Sequence, residues 1–417
     1  MAIGAILFIL LLALLIIFYL RQLWTRRHLP PGPLALPLIG TLLANGIGLQ
    51  GDVLLRHVKQ YGNIYSMWIG PYLVVVLSGF KAVKEEMTRF SEEFSDRPDD
   101  PFLTALGKGM GIILSNGHTW KQQRHIGVTS LRKLGLGKKS IEQRIEEVAQ
   151  TLIDNFRQTN GQPFDPSFLV LNAVSNVICA LSFGHQFASE DENFQKLIQA
   201  LKTIVNFIAG FFHMHQSKND PSSTYNEENL AHCIYDFFAA GTDTSFVSMK
   251  WALILLANHP DIQEKVKKEI EDVFGFSRSI SYQDKKKLPY TNAVIHEMQR
   301  AKYVLLFGVP RQSTKDGTFI VPDLRSVLLD PEQWETPERF NPNHFLDKDG
   351  KFVEREEFLA FGTGQRACVG EQLARIELFI FLTSLLRTFS FQLPEGVKEF
   401  NETPVVNVTM PPQPYKI

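Results

Sequence analysis

The chain has 417 residues, 44% of them apolar, which is enough to bury a large core as either a few domains or one large enzyme. Its 43 basic and 44 acidic side chains leave a net charge of −1, which excludes a general field for nucleic acid. Three widely spaced cysteines exclude a disulfide framework and fit a reducing compartment.

Residues 2–20 form an uncharged apolar run, about the length that crosses a bilayer. Arg21, Arg26 and Arg27 follow the run, and no basic segment precedes it. No small-residue cleavage site is present either, so a signal anchor is expected over a cleaved signal peptide, with the following chain in the cytosol. His28-Leu29-Pro30-Pro31-Gly32-Pro33 reads as a stiff turn, because proline fixes φ and denies helix continuation. An ordinary proline-rich linker would read the same way. The expected division is an anchor over 1–20, a basic flank and hinge over 21–40, and one large domain over 41–417.

Residues 65–78 predict two short strands about a Gly-Pro turn, followed by a helix over 81–89. Periodicity then predicts helices over 118–128, 139–158, 168–183, 191–212, 227–258, 260–273 and 289–302. Irregular sequence covers 303–360, and a last helix runs over 369–389. The fold class is mainly α with a small β region. Cys179 and Cys233 lie in apolar helical text and read as small buried core residues.

Cys368 stands apart, between glycines at the start of a helix, in Phe361-Gly-Thr-Gly364-Gln-Arg366-Ala-Cys368-Val-Gly370. Helix-terminal amides are expected to lower the thiol pKa and favour a thiolate. Glycines let the backbone approach the sulfur. Taken alone, the loop serves a structural cysteine equally well.

This FxxGxRxCxG pattern resembles the haem-binding loop of the cytochrome P450 family. The resemblance implies the P450 fold behind one N-terminal transmembrane helix, haem b as cofactor, and Cys368 as the iron ligand. Arg366 is then expected at a propionate, and Ala374 on the side of the following helix that meets a flat ring. Three further motifs stand in the family's order. Glu297-Met-Gln-Arg300 matches ExxR, and its i, i+3 spacing puts both charges on one helix face. Pro337-Glu338-Arg339-Phe340 is similar to the PERF box, whose Arg339 is expected to complete a Glu–Arg–Arg cluster. Ala240-Gly241-Thr242-Asp243-Thr244 is similar to the oxygen-activation motif. There Gly241 would clear space over the iron, Thr244 would bond the i−4 carbonyl, and Asp243 with Thr244 would relay protons. Read without context, ExxR is a surface pair and the Thr/Asp segment a solvated face.

Trp120 and Arg124 resemble the family's WxxxR and share a propionate in that reading; Arg97 and Arg311 match further propionate positions. Lys121, Arg124, Arg132, Lys133, Lys138 and Lys139 form a basic cluster, ordinarily just a solvated face. In the family such a face docks NADPH-cytochrome P450 reductase or cytochrome b5. The wording over nearly the whole chain is similar to microsomal family 2, its J subfamily above all. That implies apolar substrates, either xenobiotics or polyunsaturated fatty acids such as arachidonate, hydroxylated or epoxidised at the endoplasmic reticulum. Ile112, Ile113, Phe237, Leu305 and Leu306 fall in substrate-contact regions, although an aliphatic stripe is more often plain core.

Two shortenings depart from the family, near 213–217, where roofing helices are expected, and near 319–329, where a strand pair with a Pro-Lys-Gly turn is expected. A truncated, catalytically impaired membrane-bound variant therefore competes with the monooxygenase. A peroxide isomerase would need neither the Asp243-Thr244 pair nor the basic cluster. A cysteine hydrolase would need a histidine held beside Cys368, and no feature supplies one.

Overall fold

The computed structural model describes residues 27–36, 39–41, 51–70, 72–188, 191–200, 227–275 and 280–417, with scattered residues between 6 and 20. In chain order its elements are α1 (Gly51–Tyr61), β1 (Ile64–Ile69), β2 (Tyr72–Leu77), α2 (Phe80–Arg89), α3 (Pro101–Gly107), α4 (Gly117–Lys133), α5 (Lys139–Arg157) and α6 (Ser167–Ser182). They continue with α7 (Glu227–Asn258), α8 (Pro260–Phe274), α9 (Pro289–Ala301), β3 (Arg311–Gln312), β4 (Phe319–Pro322), α10 (Leu324–Leu328) and α11 (Glu371–Thr388). The expected mainly helical chain with a small sheet is what forms. α1 and α3 were not expected, and the stretch over 303–360 is less irregular than its sequence, since it holds β3, β4 and α10.

The anchor expected over 1–20 lies partly outside the described residues. Those described there are helical and expose Ile9, Leu14 and Ile17. Among the described residues no helix is long and apolar enough to cross a membrane. Arg21 to Arg26 of the flank, the shortening near 213–217 and the end of the helix expected over 191–212 also lie outside the described residues; helical residues reach 200.

The chain divides into two compact units. The first comprises Met1–Pro98, Leu306–Val327 and Thr363–Gln365. Its sheet has strand order β1-β2-β4-β3. β1 and β2 pair antiparallel about the expected turn, Ser66 opposite Val75, and β2 runs parallel to β4 with Val75 opposite Ile320. Alternation puts Tyr65, Met67, Val74 and Val76 in a small core with Leu54 of α1. The proline-rich turn is docked rather than loose. Ser66 donates its amide to Pro31 O and its hydroxyl to Pro30 O, and a Cβ on Gly32 would lie 1.8 Å from Ser66 O. Only glycine fits against that strand.

The second shortening falls in this unit. No strand pair with a Pro-Lys-Gly turn follows β4. The chain passes straight into α10, with Asp323 donating its amide to Leu77 O and accepting the Ser326 amide at 3.0 Å. An aspartate in that position satisfies a donor of the helix start.

The second unit comprises Asp99–Leu305, Leu328–Gly362 and Arg366–Ile417. Its core is built on α6, whose residues from Val170 to Leu181 are all buried, packed against the long α7 and bordered by α5, α8, α9 and α11. Cys179 and Cys233 are buried as expected, and burial pushes both thiols up to about 12. They are inert core residues. The C-terminal segment closes over this core: Trp251 Nε1 donates to Met410 O at 2.7 Å and the Tyr415 hydroxyl to Lys250 O at 2.9 Å.

Candidate active site

The cysteine loop folds back on itself through the Cys368 amide, which donates to Phe361 O at 3.0 Å, and then enters α11. Cys368 is exposed, unlike the other two cysteines. Its thiol nevertheless sits above the ordinary value, against the sequence expectation. Desolvation by the surrounding protein raises it most, outweighing the amides of Gly370 and Glu371 and the Arg124 guanidinium, all of which favour the thiolate. The helix-start amides are present but do not suffice alone. A thiolate here calls for a stronger positive partner at the sulfur, such as a metal ion.

Arg366 is anchored on the main chain ahead of α4. It is buried, donates to Ile112 O at 3.1 Å and Ser115 O at 2.7 Å, and lies 3.9 Å from the Trp120 ring. It thereby ties the cysteine loop to the segment leading into α4. Trp120 and Arg124, one turn apart on α4, are brought together with the loop: Arg124 donates to Ala367 O at 2.8 Å, and burial lowers its pKa. The Trp120 indole N–H is buried without a hydrogen-bond partner. Ala374, in the first turn of α11, donates its amide to Gly370 O and is half-buried.

Within the first unit, Arg97 is buried and donates to Val309 O and Pro310 O at 2.9 and 3.0 Å, beside the buried Arg311 of β3. Gly364 belongs to this unit as well. With φ of 75° and a would-be Cβ 2.4 Å from Met87 O, it is a position for glycine alone. Leu306 is half-buried here, and Leu305 is half-buried in the second unit.

The ExxR cluster forms with one correction. Glu297 and Arg300 are fully buried and joined by two bonds of 2.7 Å. Arg300 also donates to Leu328 O, Pro337 O and Arg339 O. Arg339 therefore contributes its carbonyl, while its side chain is exposed and completes no Glu–Arg–Arg cluster. The place is taken by His344, whose Nδ1 lies 3.1 Å from both Glu297 oxygens, and by the Asn341 amide at 2.8 Å. The sequence reading missed His344, although it stands five residues beyond Arg339 in the same motif.

On α7 the Thr244 hydroxyl donates to Ala240 O at 2.6 Å, the expected i−4 bond. Asp243 accepts from the Thr409 hydroxyl at 2.8 Å, and burial raises its carboxyl. The two side chains are thus engaged separately. The reading of Gly241 as clearance over a ring is corrected, because a Cβ there would meet Ile178 Cδ1 at 2.6 Å. Its missing side chain lets α6 approach α7.

The expected substrate residues Ile112 and Phe237 do converge. A Cβ on Gly127 would lie 2.7 Å from Ile112 Cδ1 and 2.9 Å from Phe237 Cζ. Asp236, which the sequence reading passed over, accepts the amides of Ile112 and Ile113 at 2.6 and 2.9 Å, while Asn229 takes the Gly111 amide at 3.0 Å. Gly111, at φ 74°, turns the chain into that carboxylate. The only sequence signal was an acid within the apolar stretch from Cys233 to Ala240.

Lys121, Arg132, Lys133, Lys138 and Lys139 are exposed, and Arg124 is half-buried. Their loop approaches the start of α11, with Gln372 Nε2 2.9 Å from a would-be Cβ on Gly137. Lys138 and Lys139, which follow Gly137, therefore lie near the start of the helix that leaves the cysteine loop. An accessible thiol flanked by amides, a guanidinium and a buried indole N–H lacking an acceptor suits a group that carries a metal and anionic arms. Haem, with its iron and its anionic propionates, is such a group.

The cytochrome P450 family model matches residues 30–216 and 202–417. The chain is 37% identical to human cytochrome P450 2J2, with 89% of this chain and 87% of that protein covered. It is 36% identical to mouse cytochrome P450 2J5 over 93% and 91% of the two, and 37% identical to rabbit cytochrome P450 2C3 over 94% and 95%. The alignment with golden hamster cytochrome P450 2D20 spans 485 positions against 417 residues here, so that relative carries internal residues this chain lacks.

Proposed function

This chain belongs to the cytochrome P450 family, and on that premise we propose that Cys368 would supply the thiolate that holds the haem iron of a monooxygenase acting on apolar substrates. It is an oxidoreductase of the monooxygenase class with haem b as cofactor. The observation that carries the site is the Cys368 sulfur, accessible and flanked by the Gly370 and Glu371 amides, with the partnerless Trp120 N–H and Arg124 on the neighbouring helix. When bound, the haem supplies the dioxygen and one-electron chemistry.

The chain's own residues would hold the thiolate, position substrate and move protons. Trp120 and Arg124 would hold a propionate, with Arg97 and Arg311 as further candidates. The Thr244 hydroxyl donates to Ala240 O and so presents only lone pairs outward; rotating away from that carbonyl, at about 1 kcal/mol, makes its proton available. Asp243, made more basic by burial, would hold the replacement proton on its carboxyl. Ile112 and Phe237 offer an apolar wall suited to xenobiotics or to long unsaturated chains such as arachidonate, and likeness to the 2J proteins of human and mouse supports that class.

The exposed basic cluster supports NADPH-cytochrome P450 reductase, or cytochrome b5, as electron donor. The uncharged run over 2–20 with arginines behind it supports an anchor in the endoplasmic reticulum membrane, then a basic flank and hinge over 21–40 and a cytosolic catalytic domain over 41–417. The internal residues present in the hamster relative favour a second reading, a shortened variant impaired in turnover.

The reduced, CO-treated full chain in membranes separates the two. A thiolate-type Soret band is expected and is lost in Cys368→Ala but kept in Cys179→Ala; absence of haem uptake by the unaltered chain would establish the impaired variant. Thr244→Ala is expected to keep that band while diverting electrons to hydrogen peroxide, lowering product per NADPH by about a hundredfold, the low end of the range for loss of a proton donor. Unchanged coupling would remove Thr244 from the relay.

A further inference from the structure

His296 lies beside the Glu297–Arg300 pair on α9 yet takes no part in it. The imidazole is buried among Phe345, Phe352 and Phe358, with ring centroids at 5.5, 4.7 and 5.3 Å. Its Nδ1 lies 2.8 Å from Asn292 O, and its Nε2 meets Nη1 of Arg375 in a short hydrogen bond. A carbonyl only accepts and a guanidinium only donates, so the pair of contacts assigns the tautomer: Nδ1 carries the proton and Nε2 accepts. Burial, reinforced by Arg375, pushes the imidazole down to about 3, so it stays a neutral acceptor at any working pH.

Arg375 is fixed on its other sides too. It donates Nε and Nη2 to Glu371 Oε1 at 3.0 and 2.8 Å, and its guanidinium lies 5.2 Å from the Phe361 ring and 5.6 Å from that of Phe358. Phe361 and Glu371 bound the cysteine loop. The Phe361 carbonyl accepts the Cys368 amide, and the Glu371 amide faces the Cys368 sulfur. One guanidinium therefore touches both ends of the loop, and beyond the Phe358 ring its other contact is the imidazole on α9.

We propose that His296 is a positioning residue for Cys368: by accepting from Arg375 it locks the guanidinium that pins Phe361 and Glu371, and so fixes the loop that presents the thiol. The proposal rests on Cys368 being the haem ligand. It assigns α9 two tasks, with Glu297 and Arg300 holding the 328–341 segment while His296 holds the cysteine loop. Without the imidazole acceptor, Arg375 still has Glu371, but its plane is free to swing off Phe361, because the side chain reaches solvent.

The test uses the full haem-loaded chain and three substitutions. His296→Phe keeps a ring among the phenylalanines and removes the acceptor; His296→Gln keeps an acceptor for Arg375 and a donor for Asn292 O. Arg375→Gln breaks the same link from the partly exposed side, where refolding is least at risk. Amide exchange of residues 361–371, followed by mass spectrometry, is expected to quicken about tenfold in His296→Phe and Arg375→Gln and to return to the wild-type rate in His296→Gln. The haem potential should shift, and the CO adduct should convert in part to the thiol-ligated form, in the same two variants alone. Unchanged exchange and potential in Arg375→Gln would overturn the proposal. So would a His296→Phe protein that melts earlier yet keeps wild-type exchange and potential, which is the signature of a packing role. Failure of the wild-type chain itself to give a thiolate-type band would instead count against the haem-thiolate reading, and loop exchange would still report on the His296–Arg375 link.

Discussion

Arg300→Ala is expected to yield little or no folded protein, and the survivors to have lost haem retention along with stability. Arg300 and Glu297 are both fully buried, and the guanidinium joins α9 to the carbonyls of Leu328, Pro337 and Arg339 in addition to its bidentate pair. Removing it strands the Glu297 carboxylate in the interior with only His344 and the Asn341 amide. Breaking a buried pair in this way costs about 3–5 kcal/mol, against a total stability of about 5–15 kcal/mol for a typical protein. Arg300→Lys should recover only part of the loss, since an ammonium cannot make the forked contact or reach three carbonyls at once. Denaturant midpoints, or soluble yield where no transition is measurable, test this. An unfolding free energy within about 1 kcal/mol of wild type would show that the cluster is not structural.

Glu377→Gln is expected to act in the opposite direction and to stabilise the protein at alkaline pH. Glu377 lies on α11, 1% exposed, with both carboxyl oxygens lacking a hydrogen-bond partner by geometry and the Ser245 hydroxyl of α7 as the group facing it. Burial pushes its carboxyl up from 4.5 to about 8. The folded state therefore holds a proton that the unfolded chain releases. Below pH 4.5 both states are protonated and the group is neutral in the balance; between 4.5 and about 8 stability falls as pH rises; above that the penalty is constant. The slope is at most about 1.4 kcal/mol per pH unit. An amide of the same shape removes the titration, so the gain of Glu377→Gln over wild type should grow from pH 5 to pH 8 and then level off. Melting temperatures of the pair at those pH values decide it, and an equal gain at both would mean the buried carboxyl does not change its protonation on folding.

The parts of the site that could be read in sequence are those whose chemistry is local. The cysteine between glycines, the i, i+3 spacing of Glu297 and Arg300, and the Thr244 hydroxyl one turn beyond Ala240 each follow from chain geometry within a few residues. What stayed illegible depends on the surroundings. Arg339 acts through its carbonyl, so its side-chain type says nothing about the contact. Gly241 looks functional because of its neighbours in the motif, yet its space is taken by Ile178 from a helix more than sixty residues earlier. The amide argument for a low Cys368 pKa was sound as far as it went; the sign reversed because desolvation at the loop is larger. For the fold, long amphipathic or apolar helices were readable by period. β3 and β4 were not, because strands of two and four residues carry too little alternation to register.

Asp236, Asn229 and Arg366 grip the 111–116 segment almost entirely by its main chain, the Asn116 side chain excepted. Every residue offers the same amides and carbonyls, so the grip is indifferent to which side chains stand at 113 and 114, both half-buried. The side chains of this segment can thus vary in shape and size while its frame stays put. A scaffold of this kind separates what must be inherited from what can vary, and it leaves these two positions open to diversification without a penalty in fold.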